Sequence, residues 1–111
     1  MSLLGGDRLS DALTALAHPV RRDLLSLVEG KAARVTDLAS RFAISLPAVS
    51  RHVKVLEAAG FVTRRIAGRD HFIEARPEAF DEVAHWIAAR SAEWHVRLLA
   101  LKALMEDGRD G

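Results

Sequence analysis

The chain contains no cysteine in its 111 residues. That absence excludes disulfides, thiolate metal sites and cysteine-based catalysis. No apolar run approaches the roughly 20 residues that a helix needs to span a bilayer. The first residues do not have the basic-then-apolar layout of a secretory leader. A soluble cytoplasmic protein with no membrane partner is therefore expected. A strong overall charge is missing as well: 16 Lys and Arg against 15 Asp and Glu give a net charge of +1.

What is present is enough apolar material for a real core. Half of the residues are hydrophobic, which fits one compact domain over 1–111. The distribution of charge says more than its total. Residues 31–76 carry nine basic side chains against four acidic, while 1–30 and 77–111 are both mildly acidic. A basic centre suggests a polyanion addressed by one region only. Chance segregation of surface charge is the other reading.

Leu9, Leu13 and Leu16 recur with Ala12 and Ala17 at helical spacing and predict a first helix over 8–17. His18-Pro19 ends it, and Pro19 suits the first turn of a second helix that carries Val20, Leu24, Leu27 and Val28 inward. The Arg21-Arg22-Asp23 run reads as a solvated face. Val35, Leu38, Ala39 and Phe42 define a short third helix. After a tight connection, Ser45 is a candidate N-cap and Pro47 sits in the first turn of a fourth helix. Val49, Val53 and Leu56 form its inward stripe, and Gly60 ends it. The period then changes: "FVTRRI" and "HFIEA" are strand-like runs joined by Ala67-Gly68-Arg69-Asp70, a hairpin with a basic loop.

From Arg76-Pro77 to Asp107-Gly108 there is no internal breaker. Phe80, Ala84, Ile87, Ser91, Trp94, Leu98, Leu101 and Met105 step by four and three, a heptad seam. A helix over 77–106 would be about 45 Å long, more than a small domain can cover. A second copy of the same helix is the simplest partner; a helix broken near Ala89–Ser91 and folded back on its own core is the alternative.

The expected class is mainly α with a small β-hairpin wing, ordered α-α-α-α-β-β-α, a winged helix-turn-helix. Residues 35–60 form the helix-turn-helix and 61–75 the wing. In this architecture the second helix of the pair enters the major groove of double-stranded DNA. Opposite the inward stripe lie Leu46, Pro47, Ser50, Arg51 and Lys54. Arg51 can donate two hydrogen bonds to a guanine, Ser50 can bond a base or a phosphate, Lys54 suits phosphate and Leu46 a thymine methyl. Together with Ser45, His52 and the wing cations Arg64, Arg65 and Arg69, these are the candidate DNA contacts. His52 borders the buried stripe, so a partly buried histidine bonding a backbone group or phosphate competes with a base contact. Catalysis is set aside: Ser50 lies on another face of the helix, and no nucleophile, base and oxyanion donor are assembled.

The stretches "LAHPVRRDLLSLV", "VTDLASRFAISLPAVSRHVKVLEAAGFVTRR" and "GRDHFIEA" resemble the ArsR family of bacterial winged-helix transcriptional repressors, from about Leu9 to Met105. The resemblance implies a homodimer with its terminal helices packed across the two-fold axis, operator DNA as ligand, and usually an effector that weakens binding. Leu9, Leu13, Leu16, Phe80, Ile87, Trp94, Leu98, Leu101 and Met105 would line that dimer interface. Metal-sensing members carry C-V-C-D-L on the third helix; here "RVTDL" places Arg34 and Thr36 where the cysteines stand, and neither replaces a thiolate. Another metal-binding branch uses Asp-x-His and His-x-x-His/Glu pairs. Here Asp81 and His85 are four apart, and Leu98 follows His95 by three. No metal or other cofactor is expected. The reading is a non-metal, homodimeric repressor on a palindromic operator, not an enzyme. A protein-interaction module and a zinc- or nickel-responsive repressor using His85 and His95 are the alternatives; the effector is not specified.

Overall fold

The computed structural model describes residues 7–110; residues 1–6 and 111 of the expected 1–111 span lie outside them. Five helices and three strands follow in the order α1 (Arg8–Leu16), α2 (Pro19–Val28), β1 (Ala33–Arg34), α3 (Val35–Ala39), α4 (Leu46–Ala58), β2 (Val62–Ala67), β3 (Asp70–Ala75) and α5 (Glu78–Asp110). The expected hairpin is thus part of a three-stranded antiparallel sheet, ordered β1-β3-β2. Ala33 and Arg34 pair with Ile73 and Phe72, a strand too short to show a period of its own.

The helix boundaries follow local chemistry. Asp7 caps α1 by accepting from the Ser10 backbone N–H, and the His18 ring caps α2 by accepting from the Val20 N–H. Ser45 caps α4: its hydroxyl accepts from the Ala48 N–H at 3.2 Å. Ser45→Ala should cost about 1 kcal/mol of folding stability, read as a lower denaturant midpoint. At the other end of α4, the Gly60 N–H donates to the Glu57 carbonyl and the Phe61 N–H to the Leu56 carbonyl. This is a Schellman closure, and it needs the φ of +85° that Gly60 supplies.

In the wing, Ala67 pairs with Asp70 across a two-residue turn. Gly68 has φ +63° there and Arg69 does not share the positive sign, the requirement of a type II′ hairpin turn.

One core cluster holds these elements together: Ala12, Ala15, Leu24, Leu25, Val28, Val35, Leu38, Val49, Val53, Leu56, Phe61, Val62, Ile73 and Val83. The stripe expected on α4 is buried in full. Phe42 also packs inward, although α3 closes at Ala39 and reaches it through turns. The last helix is unbroken for 33 residues, about 50 Å at 1.5 Å per residue. Only its first turns join the core, so the long dimension of the molecule is 74 Å against 32 and 23 Å.

Candidate nucleic-acid interface

Helix α4 stands on its buried stripe and turns the rest of its surface outward. Leu46, Pro47, Arg51 and Lys54 are exposed and Ser50 is half-buried, all from the N-terminal two-thirds of the helix. Among the described residues neither Arg51 nor Lys54 has a carboxylate partner. Ser45 belongs to the same edge, with its hydroxyl already engaged as the cap.

The wing does not present its three arginines alike. Arg64 lies opposite Ile73 and Arg65 opposite Phe72 in the ladder, and side chains alternate between faces along a strand. Arg65 and Arg69 are exposed, and the Arg65 guanidinium lies 4.7 Å from the centre of the Phe72 ring, which holds it at the sheet surface. Arg64 turns toward α4 instead. Its guanidinium bonds both carboxylate oxygens of Glu57, at 3.3 and 3.4 Å, and donates to His71 Nδ1 at 3.0 Å. Its side chain is only 17% exposed. Arg64, one of the expected DNA contacts, is engaged within the fold, where it ties the wing to α4. Arg34, which no local pattern marks as a tie, bridges β1, α3 and the start of β3 through Asp37 and Asp70, at 3.0 and 3.8 Å.

His52 borders the buried stripe of α4, and its ring reaches toward α2. It is half-buried, with Nδ1 3.2 Å from Arg21 Nη1 and its ring centre 4.3 Å from that of His18. Burial first, then nearby His18, Arg21 and Arg51, hold its imidazole below the ordinary histidine value. Its Nδ1 therefore serves another helix. The Arg21-Arg22-Asp23 run is likewise not simply solvated. Arg21 bonds the Ala15 and Thr14 carbonyls at 2.7 and 3.0 Å, and Arg22 the Leu16 carbonyl at 2.7 Å.

The residues expected at a dimer interface divide into two groups. Leu9, Leu16 and Phe80 pack on the chain's own core; Phe80 meets Phe61 edge to face at 4.7 Å. Val83, three residues after Phe80, is buried with them. Leu13, Ile87, Trp94, Leu98, Leu101 and Met105 remain exposed, the last five by more than half. The seam therefore begins as intramolecular packing and becomes unpartnered apolar surface from Ile87 onward. Val96, Leu99 and Leu104 are exposed too but lie off the seam, so a search for one heptad stripe passes over them.

His85 and His95 both lie exposed on α5. Ten residues of straight helix separate them by about 15 Å, too far for one chain to bring both to one ion. The His95 Nδ1–H donates to the Ser91 carbonyl at 2.8 Å. Among the described residues no three histidine, aspartate or glutamate side chains gather as a metal site, and no helix is long and apolar enough to cross a membrane.

A family described as a helix-turn-helix domain matches residues 16–65. The chain is 29% identical over 104 residues to the HTH-type transcriptional repressor SmtB of Mycobacterium tuberculosis, covering 94% of this chain but 65% of that protein. A solved ArsR family transcriptional regulator superposes with a TM-score of 0.76 at 30% identity, over 80% of this chain and 98% of that one. A possible transcriptional regulator for arsenical resistance superposes with a TM-score of 0.70 at 32% identity, over 81% and 94%.

Proposed function

The chain belongs to the ArsR family of winged helix-turn-helix transcriptional regulators, and from that premise we propose that it is a homodimeric repressor that binds a palindromic operator in double-stranded DNA. The observation that carries this reading is the outward row of α4. Arg51 and Lys54, unpaired with any described carboxylate, stand on the exposed side of a capped helix whose other side is locked in the core. Ser45, Leu46, Pro47, Ser50, Arg51 and Lys54 would meet the major groove, with Arg65 and Arg69 of the wing on the backbone beside it. Residues 35–60 then serve as the helix-turn-helix, 61–75 as the wing, and 8–17 with 77–106 as the dimerisation helices. Two-fold symmetry sets the half-sites about 34–36 Å apart, one turn of DNA.

The cations differ in what they report. Arg51, the residue able to grip a guanine edge with two donors, carries discrimination: Arg51→Ala should lower the ratio of operator to random-sequence affinity by about 10- to 100-fold. Arg65→Ala should weaken binding to every sequence alike and reduce the slope of log affinity against log salt by about one. Arg64→Ala should leave that slope unchanged, because Arg64 is bound to Glu57. Gel-shift titrations over a salt series separate the three. An Arg51→Ala protein with intact operator preference would remove α4 from the role of reader.

A further inference from the structure

The bonds of His52 inside the fold specify a role of their own. A guanidinium has donors only, so in the 3.2 Å contact Arg21 Nη1 donates and His52 Nδ1 accepts. The neutral ring then carries its proton on Nε2. The same logic holds for His18, whose Nδ1 accepts from the Val20 N–H at 3.1 Å. The two rings lie 4.3 Å apart, tilted by 43°. The other donors of Arg21 reach the Ala15 and Thr14 carbonyls at the C-terminal end of α1. One guanidinium on α2 therefore bonds the last turn of α1 and the middle of α4 at once.

We propose that His18, Arg21 and His52 form a positioning joint that sets the orientation of α4 against α1, so that operator reading depends on a neutral His52. The joint rests on the reading of α4 as the DNA-recognition helix. It passes information in one direction of interest: α1 is proposed to lie at the dimer interface, and a shift of its last turn would move Arg21 and with it the recognition helix.

The chemistry makes the joint sensitive to protons. A proton on His52 Nδ1 removes the acceptor of the Arg21 guanidinium. The charges that act on His52 are His18 and Arg21 from α2 and Arg51 from α4, and no carboxylate is among them. The folded protein therefore favours the neutral ring and holds it below the free-histidine value of about 6.5. A group shifted in this direction contributes its full stability above that free value and loses it as pH falls through the folded one. Phosphate attraction runs the other way, since added positive charge strengthens binding to any DNA. A falling operator-to-random ratio on acidification thus reports the joint and not general electrostatics.

The test uses the full chain and two duplexes, one enriched by the protein from a random pool and one of random sequence. At pH 7.5, Arg21→Met and His52→Leu should each lower the affinity ratio about tenfold, and the double variant should be no worse than the poorer single one. His52→Gln, whose side-chain oxygen still accepts from Arg21, should keep most of the ratio. It should also abolish the decline that the wild type shows between pH 7.5 and 5.5. Additive losses, equal losses on both duplexes, or a Gln variant as poor as the Leu variant would each overturn the joint. A second measurement does not depend on folding of the variants: the imidazole ¹⁵N spectrum of the wild type at pH 7.5 should show Nδ1 bare on both His18 and His52. A protonated Nδ1 on His52 overturns the proposal. If the protein enriches no sequence at all, the operator reading fails by itself, and the tautomers still judge the joint.

Discussion

Leu98→Asp yields a folded monomer whose affinity for a two-half-site operator is lower by at least about 100-fold. Leu98 is 56% exposed in the single chain and shares its face with Ile87, Trp94, Leu101 and Met105. None of these contributes to the core, whose only buried member on α5 among the described residues is Val83. The substitution is therefore mild for the isolated fold, within about 0.5–1 kcal/mol for an exposed helical site. In the proposed dimer it is severe, because an aspartate there would be buried against a second apolar helix without a partner. Separating the two reading heads removes the gain from tethering them, which is worth roughly 10²–10⁴ in apparent affinity. Sedimentation gives the mass of the particle. Titration of a single half-site should change little, whereas the full operator should bind far more weakly. A variant that keeps the dimer mass would remove the α5 seam from the interface.

The contrast between α4 and the wing shows what periodicity can and cannot reveal. In α4, the cap at Ser45, the early Pro47, the stripe Val49, Val53, Leu56 and the terminal Gly60 all act within one element, and the helix lies where they put it. The two-residue strand β1 exists only because Ile73 and Phe72 lie beside it, a tertiary property with no local signature. Arg64 and Arg65 are adjacent and chemically identical, yet one is an internal tie and the other a stacked surface cation. Here a signal was present: Val62 begins the strand inward, so the residue two places on shares its face. Phe80 is the opposite case. A heptad stripe runs continuously through the docked and the free parts of α5, and spacing alone does not mark where the core ends. Arg21 lay in a charged run that resembles a solvated face. Its partners are helix-end carbonyls that the tight His18-Pro19 junction brings back beside it.

Phe61→Ala is expected to cause the largest loss of stability of any single truncation in this fold. Phe61 is fully buried and sits where three elements meet. Its N–H closes α4 on the Leu56 carbonyl, and its own carbonyl accepts from the Arg76 N–H at 2.7 Å, joining the two ends of the wing. Its ring receives Phe80 from the first turn of α5 edge to face. Removing a buried phenyl group costs about 3–5 kcal/mol, the sum of lost transfer energy and the cavity that remains. Domains of this size are stable by only about 5–15 kcal/mol, so the melting temperature should fall by roughly 12–30 °C. Phe80→Ala should cost distinctly less, since that ring is only half-buried and its neighbours can close around the gap. Thermal melts followed by circular dichroism measure both. A Phe61→Ala protein destabilised by under about 1 kcal/mol would mean that α4, the wing and α5 are not held together at this ring. The orientation of the recognition helix would then have to be set by the Arg21 contacts alone.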